Sequence, residues 1–136
     1  MTRRLTLFFL ILVAQLSACS VDTSVADQAV AKFHSLLDTG RFADIYQASS
    51  SDLKAVSTEH DFVAFLDAVH RKLGVSGTTE KLTWNVNYHT SGTFVTLTYK
   101  TAFREGEATE QFLFRLQSNE ALLAGYHVNS NVFILK

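Results

Sequence analysis

Apolar residues recur every three to four positions along the first part of the chain that follows residue 24. Over 25–39 this spacing places one apolar stripe on a helix, made of Ala26, Val30, Phe33 and Leu37. Ser24 is expected to cap the start of this helix and Gly40 to end it. His34 and Asp38 are assigned to the opposite, polar side, where a spacing of four residues could let them share a proton or a metal ion. The interpretation we prefer for this pair is an exposed, weakly interacting one.

The same reasoning predicts two further helices. One is short and covers 41–48. The other begins at Thr58 or the residue before it, where Thr58 and Asp61 form a capping pair, and ends at Gly74. Its inner face is expected to consist of Phe62, Phe65, Leu66, Val69 and Leu73. Residues 53–56, between the two helices, fit either a short strand or an extended connection.

After Gly77 the period of the pattern changes from near 3.6 residues to two, which is typical of strands with one buried face. Four such segments are separated by turns at 90–92, 104–107 and 118–120. The residues assigned to the inner face are Leu82, Trp84, Val86 and Tyr88, then Val95, Leu97, Tyr99 and Phe103, then Phe112, Phe114 and Leu116, and finally Leu122, Ala124, Tyr126 and Val128. Helices followed by a meander predict an α+β fold, in which N-terminal helices pack on a curved four-stranded antiparallel sheet.

The composition describes one small domain with nearly balanced charge. The 136 residues include 12 Lys+Arg, 13 Asp+Glu, no Pro and one Cys. Arg3 and Arg4 are the basic residues of the first 18 positions and no acid lies there, which leaves 10 basic against 13 acidic residues and a net charge of −3. A mildly acidic surface without basic runs disfavours nucleic-acid binding and gives no attraction to anionic lipid. Any attachment to a membrane therefore has to be covalent.

The first 19 residues have the order of a secretory leader that ends at a cysteine. Two arginines precede the apolar run 5–13, which is shorter than the ~20 residues of a membrane-spanning helix. Leu16, Ser17 and Ala18 then precede Cys19. This order resembles the lipobox of bacterial lipoproteins. The resemblance implies a diacylglycerol on the Cys19 thiol and removal of the leader before it.

The chain is accordingly divided into a signal peptide over 1–18, a lipidated cysteine with a short tether over 19–24, and one domain over 25–136. Two or three acyl chains hold a protein on a membrane stably, whereas a single chain gives only marginal binding. Ser20, rather than an Asp, follows the cysteine. By the rule known for lipoproteins, this favours the periplasmic face of the outer membrane if the host has two membranes. We expect the domain to be held in the cell envelope, close to its membrane.

The domain resembles the nuclear-transport-factor-two-like and cystatin-like superfamily, and more closely an uncharacterised family of bacterial lipoproteins. The stretches that carry the resemblance are 37–42, 53–57, 62–74 and 125–128. Proteins of the superfamily place helices against a strongly bent antiparallel sheet, often around a cone-shaped pocket, and its enzymes use an inward Asp, His or Tyr as acid or base. The resemblance implies a cone-like fold, and it offers no established catalytic residue to carry over.

Five residues of the predicted inner face make up a candidate pocket: Trp84, Tyr88, Tyr99, Tyr126 and Glu110. Glu110 is in phase with Phe112, so it could serve as a base with Tyr99 as a hydrogen-bond donor. Its place beside a turn, where strand ends reach solvent, argues against that role. The sequence contains no spacing typical of a metal site, a phosphate-binding loop or an activated nucleophile, so no metal or cofactor is expected. An enzymatic function is left open, and a non-enzymatic one is favoured.

Two binding functions remain as alternatives. The favoured one is a protein-interaction module, in which an envelope protein contacts the outer face of the sheet. That face is expected to carry Thr83, Asn85, Asn87, Thr96, Thr98, Gln111 and Arg115. In the other alternative, the cone holds a small apolar molecule or a lipid. The first is favoured because it requires no residue that the sequence lacks.

Overall fold

A computed structural model describes residues 22–135, and the predicted signal peptide, lipobox and Cys19 lie outside the described residues. Four helices precede a four-stranded antiparallel sheet, and a short helix follows it. The elements are α1 (Ser24–Asp38), α2 (Phe42–Gln47), α3 (Ser51–Val56), α4 (Glu59–Leu73), β1 (Ser76–His89), β2 (Gly92–Phe103), β3 (Gly106–Gln117), β4 (Glu120–Asn129) and α5 (Val132–Leu135). The α+β fold predicted from the sequence is confirmed.

The two long helices begin and end close to the predicted positions. Thr58 caps α4, because its hydroxyl oxygen accepts the backbone N–H of Asp61, and Gly74 ends that helix with a φ of 76°. Gly40, with a φ of 71°, ends α1 as predicted. The predicted cap of α1 is wrong, however. Thr23 precedes the helix, and its hydroxyl donates to the Asp27 carboxylate rather than accepting a backbone N–H.

The segment 53–56 is helical, so both readings of it as extended chain are wrong. It forms most of α3, which begins after Ser50. The backbone N–H of Lys54 donates to the Ser50 carbonyl and closes the first turn, and Leu53 is buried in the core. Burial of this one side chain against the sheet favours a helical turn that the local pattern was too short to reveal.

The four strands form a simple meander in the order β1-β2-β3-β4. Its pairing register puts the predicted outer residues side by side across the strands: Thr83 opposite Thr98, Thr98 opposite Gln111, and Asn85 opposite Thr96. Directly paired residues of antiparallel strands project to the same face. We call this outer surface the polar face, made of Thr83, Asn85, Asn87, Thr96, Thr98, Gln111 and Arg115.

The core lies between the other face of the sheet and the helices, which pack mainly on β2 and β4. Phe33 and Leu37 of α1 and Leu66 of α4 meet Leu97 and Phe112 of the sheet, and all five side chains are buried. Of the predicted inner face of α4, Phe65 is the exception, since 40% of it is exposed at the rim beside Tyr126.

A bulge in β4 changes which of its leucines faces the core. The pairing passes from Gly125 opposite Leu113 directly to Leu123 opposite Phe114. Leu123 is therefore buried, whereas Leu122, which the alternation assigned to the inner face, pairs with Arg115 on the outer side. One extra residue in a strand reverses the alternation beyond it, and this is the reason the prediction was wrong for Leu122.

Candidate functional site

A buried carboxylate, Glu110, lies at the centre of a polar cluster beneath α1. Glu110 has no exposed surface, and its side chain projects to the core face two residues before Phe112. The Glu110 Oε2 atom lies 2.7 Å from His34 Nε2 and accepts a hydrogen bond of 2.6 Å from the Thr101 hydroxyl. The Tyr126 hydroxyl donates to Oε1 at 2.6 Å. We call these four residues the Glu110 cluster.

The register of the sheet explains how two of these partners reach the carboxylate. Glu110 pairs directly with Tyr99 in β2 and Val128 in β4. Thr101 and Tyr126 are each two residues further along those strands, on the same face, where diagonal neighbours are within side-chain reach. The sequence placed Glu110 and Tyr126 on one face correctly, and their contact follows from the register.

His34 lies inside the protein and not on a solvated face, so its predicted position is wrong. At about 100° per residue, His34 is about 40° from Val30 and about 60° from Leu37 around the helix axis, which makes it a flank of the apolar stripe. The residue is 6% exposed, and its ring lies edge-on to Phe112. Asp38, the predicted partner of His34, instead accepts hydrogen bonds from the backbone N–H and hydroxyl of Ser76.

Tyr126 is a donor to the carboxylate under ordinary conditions. Burial, followed by the negative charge and hydrogen bond of Glu110, raises the pKa of Tyr126 well above its usual value. Because its hydroxyl keeps its proton, Tyr126 donates to one oxygen of the Glu110 carboxylate.

Tyr99 is not a hydrogen-bond partner of Glu110, contrary to the acid–base hypothesis. Its hydroxyl donates to Asp27 of α1, and the Lys81 ammonium contacts both oxygens of the same carboxylate, at 2.9 and 2.8 Å. Burial raises the pKa of Tyr99, and the hydrogen bond to Asp27 raises it further. Burial alone would raise the pKa of Asp27, but hydrogen bonds from Lys81 and Tyr99 outweigh it and hold that pKa below its usual range. This triad joins α1 to β1 and β2.

Trp84 and Tyr88 lie apart from the Glu110 cluster, on the edge strand β1. Trp84 pairs with Leu97 and so shares the core face, yet it is 55% exposed, and Tyr88 is 71% exposed. The reason is that the helices cover β2 to β4 and leave this part of β1 open. The predicted candidate pocket therefore does not form one site. Glu110 is buried and bonded to the partly buried Tyr126, Tyr99 is bonded to α1 instead, and the two remaining aromatic side chains are exposed.

Two open hollows lie beside α1, one along most of the helix and one at its start. One, of about 410 Å³, has the apolar side chains of Phe33, Ile45, Phe114 and Leu123 in its wall, and we call it the α1 groove. The second, of about 400 Å³, runs past Asp22 to Tyr88. Both volumes fall within the ~300–1,000 Å³ that is usual for small-molecule pockets. Neither hollow includes Glu110 in its lining.

Comparison with known proteins places this chain in a family. The sequence pattern of a family described as protein of unknown function (DUF4019) matches residues 29–126. The chain belongs to the DUF4019 family. All four residues of the Glu110 cluster lie within the matched region. No curated protein matches the chain.

One solved structure to which this DUF4019 member is similar is a 2.5 Å structure from Catenulispora acidiphila. The two share 13% sequence identity and a TM-score of 0.50, over 78% of this chain and 88% of the other. At that identity the similarity concerns the fold alone.

The chemistry open to the Glu110 cluster of this DUF4019 domain is limited by its burial. A general acid or base has to come within about 2.6–3.2 Å of the atom that gains or loses the proton. Both Glu110 oxygens already accept hydrogen bonds from the protein, and the residue has no exposed surface. The arrangement favours a structural role, in which the carboxylate joins α1, β2, β3 and β4.

Neither a metal-binding cluster nor a membrane-spanning helix is found among residues 22–135. Within residues 22–135, no three His, Cys, Asp or Glu side chains come together as a metal-binding group. Over the same residues, no helix is long and apolar enough to cross a membrane.

Proposed function

We propose that this protein is an envelope lipoprotein, anchored through a lipid on Cys19, whose single domain over 25–136 acts as a protein-interaction module. The leader, Leu16, Ser17 and Ala18 support the anchor, and the order of the sequence supports membership of the nuclear-transport-factor-two-like or cystatin-like superfamily. The localisation that follows is the periplasmic face of the outer membrane in a host with two membranes. The partner is an envelope protein.

The observation that carries the interaction function is the polar face. It lies on β1, β2 and β3, on the side of the sheet away from the core, and α3 reaches it at one end through the contact between Asp52 and Arg115. Its threonine and asparagine side chains offer both donors and acceptors, which suits a polar, exchangeable protein interface. The burial of Glu110, by contrast, supports a domain that is built for stability rather than for catalysis at this position.

One end of the polar face is rigid. The Arg115 guanidinium donates to both oxygens of Asp52, at 2.6 and 2.7 Å, and to the Ser91 carbonyl at 2.5 Å. It also stacks over Phe94 at 4.6 Å. Substitution of Arg115 would therefore disturb the fold as well as any interface. Thr98, near the middle of the face, is the better position for a test.

The test is native mass spectrometry of the full-length protein, extracted gently from the envelope of its own host. We expect residues 19–136 with attached acyl chains and a second protein bound at fixed stoichiometry. Thr98→Arg should remove the second protein, and Ala64→Arg, the same kind of change on the exposed side of α4, should keep it. A complex that survives Thr98→Arg contradicts the assignment to the polar face, and an unacylated chain contradicts the anchor.

The α1 groove favours a second candidate function, the binding of a small apolar molecule or lipid. Its wall is apolar, and the polar side chains of Gln28, Lys32 and Asn119 also line it. In the same mass spectra, this function predicts a bound small molecule that Ala29→Phe displaces by filling the groove and that Ala64→Phe leaves in place. A spectrum without any bound small molecule rejects this candidate.

A further inference from the structure

The exposed aromatic side chains of β1 lie next to the point where the described chain begins. Asp22, the first described residue, lines the same hollow as Tyr88. Trp84 is four residues from Tyr88 on the same face of β1, a separation of about 13 Å along the strand. We call Trp84 and Tyr88 the aromatic edge.

We infer that the aromatic edge rests on the surface of the lipid bilayer that holds the protein. This inference rests on the proposed anchor at Cys19 and names the surface that the anchored domain presents to its membrane. Cys19 precedes Asp22 by three residues, which span at most about 10 Å when extended. The headgroup region of one leaflet is itself about 5–8 Å thick. Such a tether keeps the start of α1, and Tyr88 beside it, at the level of the headgroups.

The chemistry of the aromatic edge suits that position. Trp and Tyr side chains have an apolar ring and one polar group, and they are enriched where a membrane meets water. Trp84 and Tyr88 are 55% and 71% exposed. Contact with lipid would remove this apolar area from water without any rearrangement of the fold.

The charges near the aromatic edge favour zwitterionic lipid over anionic lipid. Lys81, the cation closest to Trp84 along β1, is held by Asp27. Asp22 adds a negative charge at the other end, and a hydrogen bond from the Ser24 backbone N–H lowers the pKa of Asp22. The surface therefore has no excess of positive charge that would attract anionic headgroups.

Trp84 is the single tryptophan of the sequence, which makes the test direct. The full-length acylated protein is reconstituted into phosphatidylcholine vesicles whose acyl chains carry bromine close to the headgroup, and into the same vesicles without bromine. We expect a blue shift of the Trp84 emission on reconstitution and a loss of most of its intensity with the brominated lipid. Added phosphatidylglycerol should not increase the quenching.

The matched control moves the tryptophan by one residue, to the other face of the same strand, in the double variant Trp84→Phe/Asn85→Trp. Asn85 pairs with Thr96 on the polar face, so its replacement should stay unquenched. Equal quenching at the two positions, or none at either, overturns the inference. The mass of the protein and its flotation with the vesicles are measured on the same sample. If flotation and acylation are normal and Trp84 is unquenched, the result rejects membrane contact of the aromatic edge and leaves the proposed lipid anchor at Cys19 unaffected. An unacylated protein that does not float overturns both.

Discussion

Replacement of Glu110 by Gln tests whether the buried carboxylate holds the fold together. The two side chains have nearly the same shape, so the substitution leaves no cavity. The amide oxygen can take the place of Oε2, which lies 2.7 Å from His34 Nε2 and accepts from the Thr101 hydroxyl. The amide N–H₂ then faces the Tyr126 hydroxyl, which loses the acceptor that it has in the wild type.

The expected loss follows from the hydrogen bonds. A hydrogen bond to a charged group contributes about 1.5–3 kcal/mol and one between neutral groups about 0.5–1.5 kcal/mol, so two bonds that lose their charge cost about 2 kcal/mol together. A reoriented Tyr126 hydroxyl adds about 1 kcal/mol. We therefore expect Glu110→Gln to lower the free energy of unfolding by about 3 kcal/mol. For a domain of this size that corresponds to a fall in Tm of about 12 °C.

Urea unfolding followed by far-ultraviolet circular dichroism measures this effect, since Trp84 is too exposed to report on the core. The matched control is Glu107→Gln on the same strand, whose carboxylate is exposed and pairs with Lys100 at 3.1 Å. That change should alter the free energy of unfolding by less than about 0.5 kcal/mol. If the Glu110→Gln protein is as stable as the Glu107→Gln protein, the structural role of the Glu110 carboxylate is refuted, and a role in acid–base chemistry is favoured instead.

Three further predictions concern the ends of the elements. The hydrogen bonds from Arg115 lower the pKa of Asp52 from 3.8 to about 2, so the pair stabilises the fold above pH 4 and this contribution disappears as the pH falls toward 2. When urea unfolding is measured at pH 4 and again near pH 2, the free energy of unfolding should fall less in Asp52→Asn than in the wild type. Thr58→Ala removes the cap of α4 and should cost about 1 kcal/mol by the same measurement, whereas Thr58→Ser should cost little. Gly74→Ala should cost about 1–3 kcal/mol, because a φ of 76° with a ψ of −159° is a conformation that alanine adopts only with strain; a thermal scan that shows no fall in Tm would contradict this.

Much of the local structure was predictable because it depends on neighbours in the sequence. The helices end at Gly40 and Gly74 because each has a positive φ that other residues avoid. The turn at 118–120 has positive φ at Ser118 and Asn119, as a two-residue hairpin requires. The period-two pattern identified the core face of β2 and β3, including the inward direction of Glu110.

The partners of the polar side chains could not be predicted in the same way. Around the axis of α1, His34 lies between the apolar Val30 and Leu37 on one side and Asp38 on the other. Whether its ring is buried therefore depends on how α1 packs against the sheet. Tyr99 pairs with Glu110 across β2 and β3, but its hydroxyl donates a hydrogen bond to Asp27, which is distant in sequence. The hydrogen bonds of Tyr99 and His34 both follow from the way α1 crosses the sheet.

The order of residues is enough to predict the succession of elements, the turns and the faces of most strands, because these follow from backbone preferences and from the spacing of apolar residues. The remaining features depend on how the elements pack against one another. The position of the helices over β2 to β4 leaves Trp84 exposed on a face that the pattern assigned to the core. The bulge in β4 puts Leu123, and not Leu122, on the core face. Whether a helix covers a strand, and where a bulge interrupts its pairing, depend on the neighbouring elements. The spacing of apolar residues within one strand therefore cannot predict either feature.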